Sequence, residues 1–175
     1  MVALTAAVVT AGLTGCSGSS NSPTVLPPLS TTPAASASST PAQNPKAAAV
    51  AVVREYFRLL NAPTTTATAT ALGELMTAEC ACQKVADSTR QVAERHQHYF
   101  GKTTATSLIP SSIDAQHVEV IAEYGYTASG IARFDGSIVS RSGGRVGATL
   151  DIRLTRTAQG WRIAQLVYVR QGRPR

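Results

Sequence analysis

Hydrophobic and polar positions change their spacing along the chain, and each change marks an element. An uncharged apolar run, Val2 to Leu13, opens it, and a stretch without charged or aromatic residues follows to Pro45. Asn44-Pro45 then reads as a helix start, with Asn as N-cap and Pro at the first helical position. Ala49, Val53, Phe57 and Leu60 form one stripe, flanked by Val50 and Tyr56, while Arg54, Glu55 and Arg58 face outward. Asn61 and Pro63 end this helix. Thr64 to Thr70 is expected to be a connection, because β-branched threonines make a poor helix interior. Leu72, Leu75 and Met76 indicate a short second helix. Val85, Thr89, Val92, His96 and Tyr99 form the stripe of a third, widened by Phe100, with Asp87 near its start and Gly101 at C′.

After Pro110 the period drops to two. Val118, Val120 and Ala122 alternate with His117, Glu119, Ile121 and Glu123. Val146, Ala148, Leu150, Ile152 and Leu154 alternate with Gly147, Thr149, Asp151, Arg153 and Thr155. Between them, Tyr126 to Val139 predicts one strand, or two broken at Asp135-Gly136, and Ser142-Gly143-Gly144 predicts a turn. Ala158-Gln159-Gly160 leads into a last strand, Trp161 to Arg170, with Trp161, Ile163, Val167 and Val169 on one face. Helices followed by strands imply an α+β fold, its helices packed on one face of an antiparallel sheet.

The apolar run is about a dozen residues, too short for the ~20 a spanning helix needs. It ends at Leu13-Thr14-Gly15-Cys16, which resembles a bacterial lipobox: aliphatic, small polar, glycine, cysteine. The resemblance implies a diacylglycerol thioether on Cys16, cleavage after Gly15, and a protein tethered outside the membrane. No Lys or Arg precedes the run, so either the start lies upstream or the free amino group supplies the charge. From Ser17 to Pro45 the Ser/Thr/Pro/Ala/Asn composition cannot bury enough apolar surface to offset chain entropy, and a disordered tether is expected. The expected organisation is a signal peptide over 1–15, a tether over 16–45, and a folded α+β domain over 46–172.

All 26 charged residues, 16 basic and 10 acidic, lie at or after Lys46. That segment has the size of one ordinary domain. Its charge is uneven: Arg133 to Arg175 carries nine arginines against Asp135 and Asp151, whereas Lys46 to Ala132 carries seven basic and eight acidic residues. Beside an anionic membrane, such an arginine-bearing face is drawn to the headgroups. Nucleic acid is not expected as a partner outside the cell.

Three N-terminal helices and a long-stranded antiparallel sheet ending in Gly160-Trp161-Arg162-Ile163 resemble the cone-shaped fold named after nuclear transport factor 2. Its relatives include the SnoaL-like polyketide cyclases and ketosteroid isomerase, and the likeness covers about Lys46 to Arg170. The chain also resembles actinobacterial lipoproteins in which a lipobox and a Ser/Thr/Pro tether precede such a domain, with a close cysteine pair between the second and third helices, where Cys80 and Cys82 stand. The resemblance implies a concave sheet around the first helix, a pocket at the open end of the cone, and the option of a homodimer through an exposed sheet face. Enzymes, binding modules and dimerisation domains share the fold, so it does not decide function.

Candidate chemistry is sparse. With Cys16 lipidated, Cys80 and Cys82 are the remaining thiols in an oxidising compartment. Two positions apart, they can reach the Cα separation of a disulfide, and a structural bridge at the start of the third helix is expected. A redox role needs a strained or helix-activated pair, and the usual two-residue spacing is missing. Zinc binding lacks a second ligand pair. His96 and His98 point to opposite sides of a helix and cannot share a metal. His117 and Glu119 share a strand face, as an acid–base pair or as an exposed edge. Tyr56, His96, Tyr124, Asp151 and Trp161 are the candidate pocket residues. No cofactor or metal is expected. Two readings remain: a lipid-anchored, non-catalytic binding or scaffolding module for an apolar small ligand, a wall fragment or another envelope protein; or a small-molecule isomerase, cyclase or dehydratase. A few-hundred-Å³ pocket with a buried ionisable group favours the enzyme, and a cone filled by Tyr56, Phe57, Leu150 and Trp161 favours the module.

Overall fold

The computed structural model describes residues 44–169, apart from the Val146 side chain. Cys16, the apolar run and the tether as far as residue 43 lie outside the described residues, and the last expected tether residues, Asn44 and Pro45, instead begin the first helix. Helix α1 (Pro45–Leu60) starts as its sequence indicates: Asn44 Oδ1 accepts from the Lys46 N–H at 3.0 Å, and Pro45 occupies the first turn. Its stripe of Ala49, Val53, Tyr56, Phe57 and Leu59 is buried. Full burial of such a large apolar side chain is worth roughly 1.5–3 kcal/mol, so this stripe holds the helix on the sheet.

Helix α2 (Thr66–Glu74) corrects the expectation of a connection over Thr64–Thr70. Thr65 is its N-cap, with Oγ1 accepting from the Thr68 N–H at 3.0 Å, and Ala69 and Leu72 are buried. Alanines at 67, 69 and 71 offset the weak propensity of the threonines between them. Helix α3 (Gln83–Glu94) is shorter than its stripe implied. His96 takes a left-handed φ of 55°, and its N–H bonds the Ala93 carbonyl at 3.0 Å, which closes the helix. His96 is therefore exposed and off the core, and Gln97–Phe100 is strand β1. Gly101, expected at a helix end, instead turns the chain with φ 100° from β1 into β2 (Thr103–Ser112).

The remaining strands are β3 (His117–Tyr126), β4 (Ser129–Arg133), β5 (Ile138–Ser142), β6 (Arg145–Thr157) and β7 (Gly160–Val169). They form two antiparallel sheets, in order β2-β3-β6-β7 and β1-β4-β5. Strand β2 begins well before Pro110, which pairs with Val120. Proline is tolerated there because β2 is an edge strand. The breaks at Asp135-Gly136, Ser142-Gly143-Gly144 and Ala158-Gln159 fall where the sequence puts them.

Val118, Val120, Ala122, Ala148, Leu150, Ile152 and Leu154 form the buried inner face of the larger sheet, against α1. On β7 the predicted face is only half right. The register shifts between Arg153 and Leu154, so one extra residue of β7 is accommodated around Ala164. Trp161 and Ile163 point inward, but beyond the bulge Leu166 and Tyr168 pair with the inward Ile152 and Leu150, while Val167 and Val169 face out.

Candidate functional site

The interior beneath α1 is filled. Tyr56, Phe57, Leu150 and Trp161 are all buried within one core. Tyr56 meets Phe57 edge-on at 5.6 Å, Phe57 lies 6.0 Å from Tyr124, and Tyr124 stacks on Tyr126 at 6.4 Å. Burial drives the Tyr56 phenol well above its ordinary pKa, with Tyr168 and Tyr124 adding to the shift, and burial raises Tyr124 as well. Tyr56 and Tyr124 are core members whose phenols hold their protons rather than poised bases.

The predicted pocket residues do not converge on one site. Tyr56 and Tyr124 meet through Phe57. Trp161 is inward but seven residues from Tyr168 along β7, about 23 Å at strand rise. His96 is exposed at the end of α3. Asp151 is on the outer face of the larger sheet, in register with Ile121 and Val167, and so is not in the cone. Its Oδ1 is buried without a hydrogen-bond partner, and burial, followed by the Glu119 charge, raises its pKa. His117 and Glu119 are not an acid–base pair. Asp114 holds His117 Nδ1 at 2.8 Å, and Glu119 faces Arg153 at 3.4 Å.

A cleft that includes none of the five predicted residues opens between the helices and the smaller sheet, with a volume of about 560 Å³. Leu59, Leu60 and Asn61 from the end of α1, Thr68 and Leu72 from α2, and Val85, Ser88 and Thr89 from α3 form one wall. Tyr99, Ser129, Ile131, Ser140 and Ser142 share one face of the smaller sheet and form the other, with Lys84 and Lys102 at the lining. The lining has hydroxyls, aliphatic carbons and two cationic side chains, and no carboxylate, imidazole or thiol.

Asn61 fastens this cleft. Its Nδ2 donates to the Phe57 and Thr103 carbonyls, both at 2.7 Å, and its Oδ1 accepts from the Thr103 N–H at 2.8 Å. Thr64 Oγ1 accepts from the Tyr99 N–H at 2.9 Å, tying the α1–α2 connection to β1. Gly130 lets β4 pass close to β5, because an added Cβ would run into the Ser140 carbonyl oxygen and lie 2.8 Å from the Phe100 ring. Sequence reading missed all three. An Asn just after a helix reads as a stop signal, and only its partner Thr103, 42 positions on, makes it a clamp.

Cys80 and Cys82 are joined as a disulfide with Cα atoms 5.0 Å apart. They sit where the α2–α3 connection is stitched to β7 by the Thr77 N–H to Ile163 carbonyl bond and the Ile163 N–H to Leu75 carbonyl bond. A smaller cleft of about 330 Å³, lined by the disulfide, Lys84, Gln165 and Tyr168, lies beside them. No cluster of three or more His, Cys, Asp or Glu that could hold a metal occurs among the described residues.

No protein-family profile matches the sequence, and neither does any curated protein. Solved structures do resemble it. The intermembrane space region of the chloroplast protein ARC6 is 15% identical, with a TM-score of 0.51 over 71% of this chain and 95% of that one. A candidate aromatic ring hydroxylase from Novosphingobium aromaticivorans is 11% identical, with a TM-score of 0.50 over 70% of this chain and 86% of that one. A Caulobacter vibrioides protein with a cystatin-like fold is 12% identical, with a TM-score of 0.47 over 72% and 91%. At such identities the likeness concerns fold alone. The folded part of the chain is an α+β protein whose fold is similar to that of the first two of these structures.

Proposed function

We propose that this chain is an exported lipoprotein, anchored through Cys16 on the outer side of a cell membrane, whose folded part is a non-catalytic binding module. Its ligand site is the cleft between the helices and the smaller sheet, and the ligand class is a small hydroxylated molecule bearing a negative charge, such as a sugar acid of the cell wall. The observation that carries the reading is the lining: eight Ser and Thr residues, aliphatic walls and Lys84 with Lys102, without a carboxylate, imidazole or thiol. Hydroxyls both donate and accept, which suits a polyol, and two cations facing one cleft suit an anion. General acid–base chemistry needs a positioned proton acceptor. A lysine becomes one when desolvated in an apolar pocket, whereas Lys84 and Lys102 are both exposed. The filled interior around Tyr56 and Phe57 removes the usual support for an isomerase- or cyclase-type reaction.

Titration of N-acetylmuramic acid and of N-acetylglucosamine, followed by amide NMR shifts, tests the ligand class, since the acid carries a carboxylate the neutral sugar lacks. The acid should bind with shifts at Ser88, Lys102 and Ser140, the neutral sugar should bind more weakly, and Lys84→Ala with Lys102→Ala should remove the difference. Binding of neither sugar, with a protein neighbour recovered by crosslinking in the envelope, would replace this reading with scaffolding. Anchoring is tested separately, since Cys16→Ser should move the protein out of the membrane fraction.

A further inference from the structure

Two patches of exposed large apolar side chains remain outside the cleft. On the outer face of the larger sheet, Ile109, Ile121, Val167 and Val169 surround Asp151 and lie among Glu119, Glu123 and Arg153. Both signs of charge are mixed there, and no single partner chemistry follows. The β4–β5 hairpin is different. Phe134 is 74% exposed, Ile138 55% and Val139 45%, and every residue from Arg133 to Arg145 is exposed where its side chain is described.

Register puts Phe134, Ile138 and Arg141 in order along one face. Ala132 pairs with Ile138 and Gly130 with Arg141, so Ile138 and Arg141 share the face that carries Phe134, opposite to the face lining the cleft. Phe134 stacks on His98 at 5.4 Å, which holds its ring on that face. Arg141 stands three residues behind Ile138, about 10 Å along the strand. Arg133 and Arg145 add charge, against Asp135 alone. Asp135 is occupied inside the turn. Its Oδ1 accepts from the Ser137 N–H at 2.9 Å, and bonds from Ser137, with Arg133 nearby, hold its carboxyl below the usual range.

We propose that this hairpin is a membrane contact: Phe134, Ile138 and Val139 enter the headgroup–acyl boundary of an anionic phospholipid bilayer while Arg141 pairs with a phosphate, and Arg133 and Arg145 add positive charge nearby. An apolar tip that enters by ~5–10 Å, with Arg141 about 10 Å behind it, matches the depth over which interfacial segments bind. Each arginine near an anionic surface adds about 1 kcal/mol, close to a fivefold gain in affinity. Lipid at Cys16 and a second, weak contact in the folded part would act together, the anchor raising the local concentration of membrane for the hairpin. The hairpin contact stands whether or not the cleft takes a sugar acid, because the two lie on opposite faces of the smaller sheet.

The test uses the full chain without lipid and vesicles of phosphatidylcholine with or without phosphatidylglycerol. In a Phe134→Trp variant, the new indole should shift to the blue and be quenched by lipids brominated on the acyl chain, only with the anionic vesicles, and high salt should weaken the effect. Co-sedimentation should fall about tenfold for Phe134→Ser with Ile138→Ser, and about fivefold for Arg141→Ala. These positions are exposed, and unchanged circular dichroism and melting confirm that the variants fold. Asp135→Asn should bind at least as well as the parent. Vesicle binding through the N-terminal apolar run alone leaves the Phe134→Trp spectrum unmoved and overturns the proposal. So does equal binding to neutral vesicles, or a dimer that dissociates on Phe134→Ser in a protein that ignores vesicles.

Discussion

Removing the Asn61 amide should loosen the joint between α1 and β2 and with it one wall of the cleft. Asn61→Ala deletes three hydrogen bonds, two to Thr103 and one to the Phe57 carbonyl. Each such bond contributes roughly 1 kcal/mol net. Asn61 is exposed, so water can satisfy part of what is left on Thr103, and the expected loss is about 2 kcal/mol rather than three. With a urea m-value near 1.5 kcal/mol/M for a domain of this size, the unfolding midpoint falls by about 1.3 M. Asn61→Asp is the sharper control. A carboxylate keeps the Thr103 N–H bond but loses both donated bonds, and it places a negative charge against two carbonyl oxygens at the C-terminal end of α1. It should be no more stable than Asn61→Ala at pH 7. Urea titrations of the three proteins by circular dichroism measure both effects. A midpoint shift under ~0.3 M for the alanine, or a wild-type midpoint for the aspartate, refutes the clamp.

Gly130→Ala should destabilise the smaller sheet by about 2–4 kcal/mol, since the new methyl meets backbone at Ser140 and the Phe100 ring together, and hydrogen exchange should rise in β4 and β5 first. Asp151 has a folded-state pKa above its unfolded one, so the folded state holds that proton more tightly; its ionisation therefore makes stability fall as pH climbs from about 4 through the raised value. Asp151→Asn should flatten this slope and gain a few tenths of a kcal/mol at pH 7, a small figure because the carboxyl is only partly buried; equal pH profiles for the two proteins would refute the assignment. Opening the Cys80–Cys82 disulfide should cost only about 1.5 kcal/mol, because the loop it closes is so short, and thermal melts with and without reductant should both show one cooperative transition.

The periodicity of the chain carried the element order, the capping of α1 and the inward face of β3 and β6, because those features are local: a stripe, a cap, an alternation. What escaped depends on distant partners. Thr66–Thr70 has poor propensity, yet it is helical because Thr65 caps it and Ala69 and Leu72 bury against α3 and the core. His96 and Tyr99 continue the helical stripe of α3 by coincidence, since β1 needs β4 as a neighbour before its alternation means anything.

The same reasoning explains why the predicted pocket dispersed. Alternation assigns Asp151 to the polar side of β6, and because the apolar set on the other side faces the helices, an ionisable residue of this strand falls on the outer face. On β7 one bulge near Ala164 moves Val167 to the outer face and puts Tyr168, itself exposed, in register with the inward Leu150, and a bulge is set by the partner strand. The cleft is drawn from the end of one helix, the flanks of two others and one face of a three-stranded sheet, so its residues share no spacing. Its signature in the chain is weaker still, being Ser and Thr, which are common in any loop. A binding site built from hydroxyls on separate elements is therefore the kind that sequence hides, whereas a catalytic site built on His, Asp or Cys is the kind it advertises. His96, His117 and Asp151, the residues whose chemistry stands out in the chain, all lie away from this cleft, so none of them marks it.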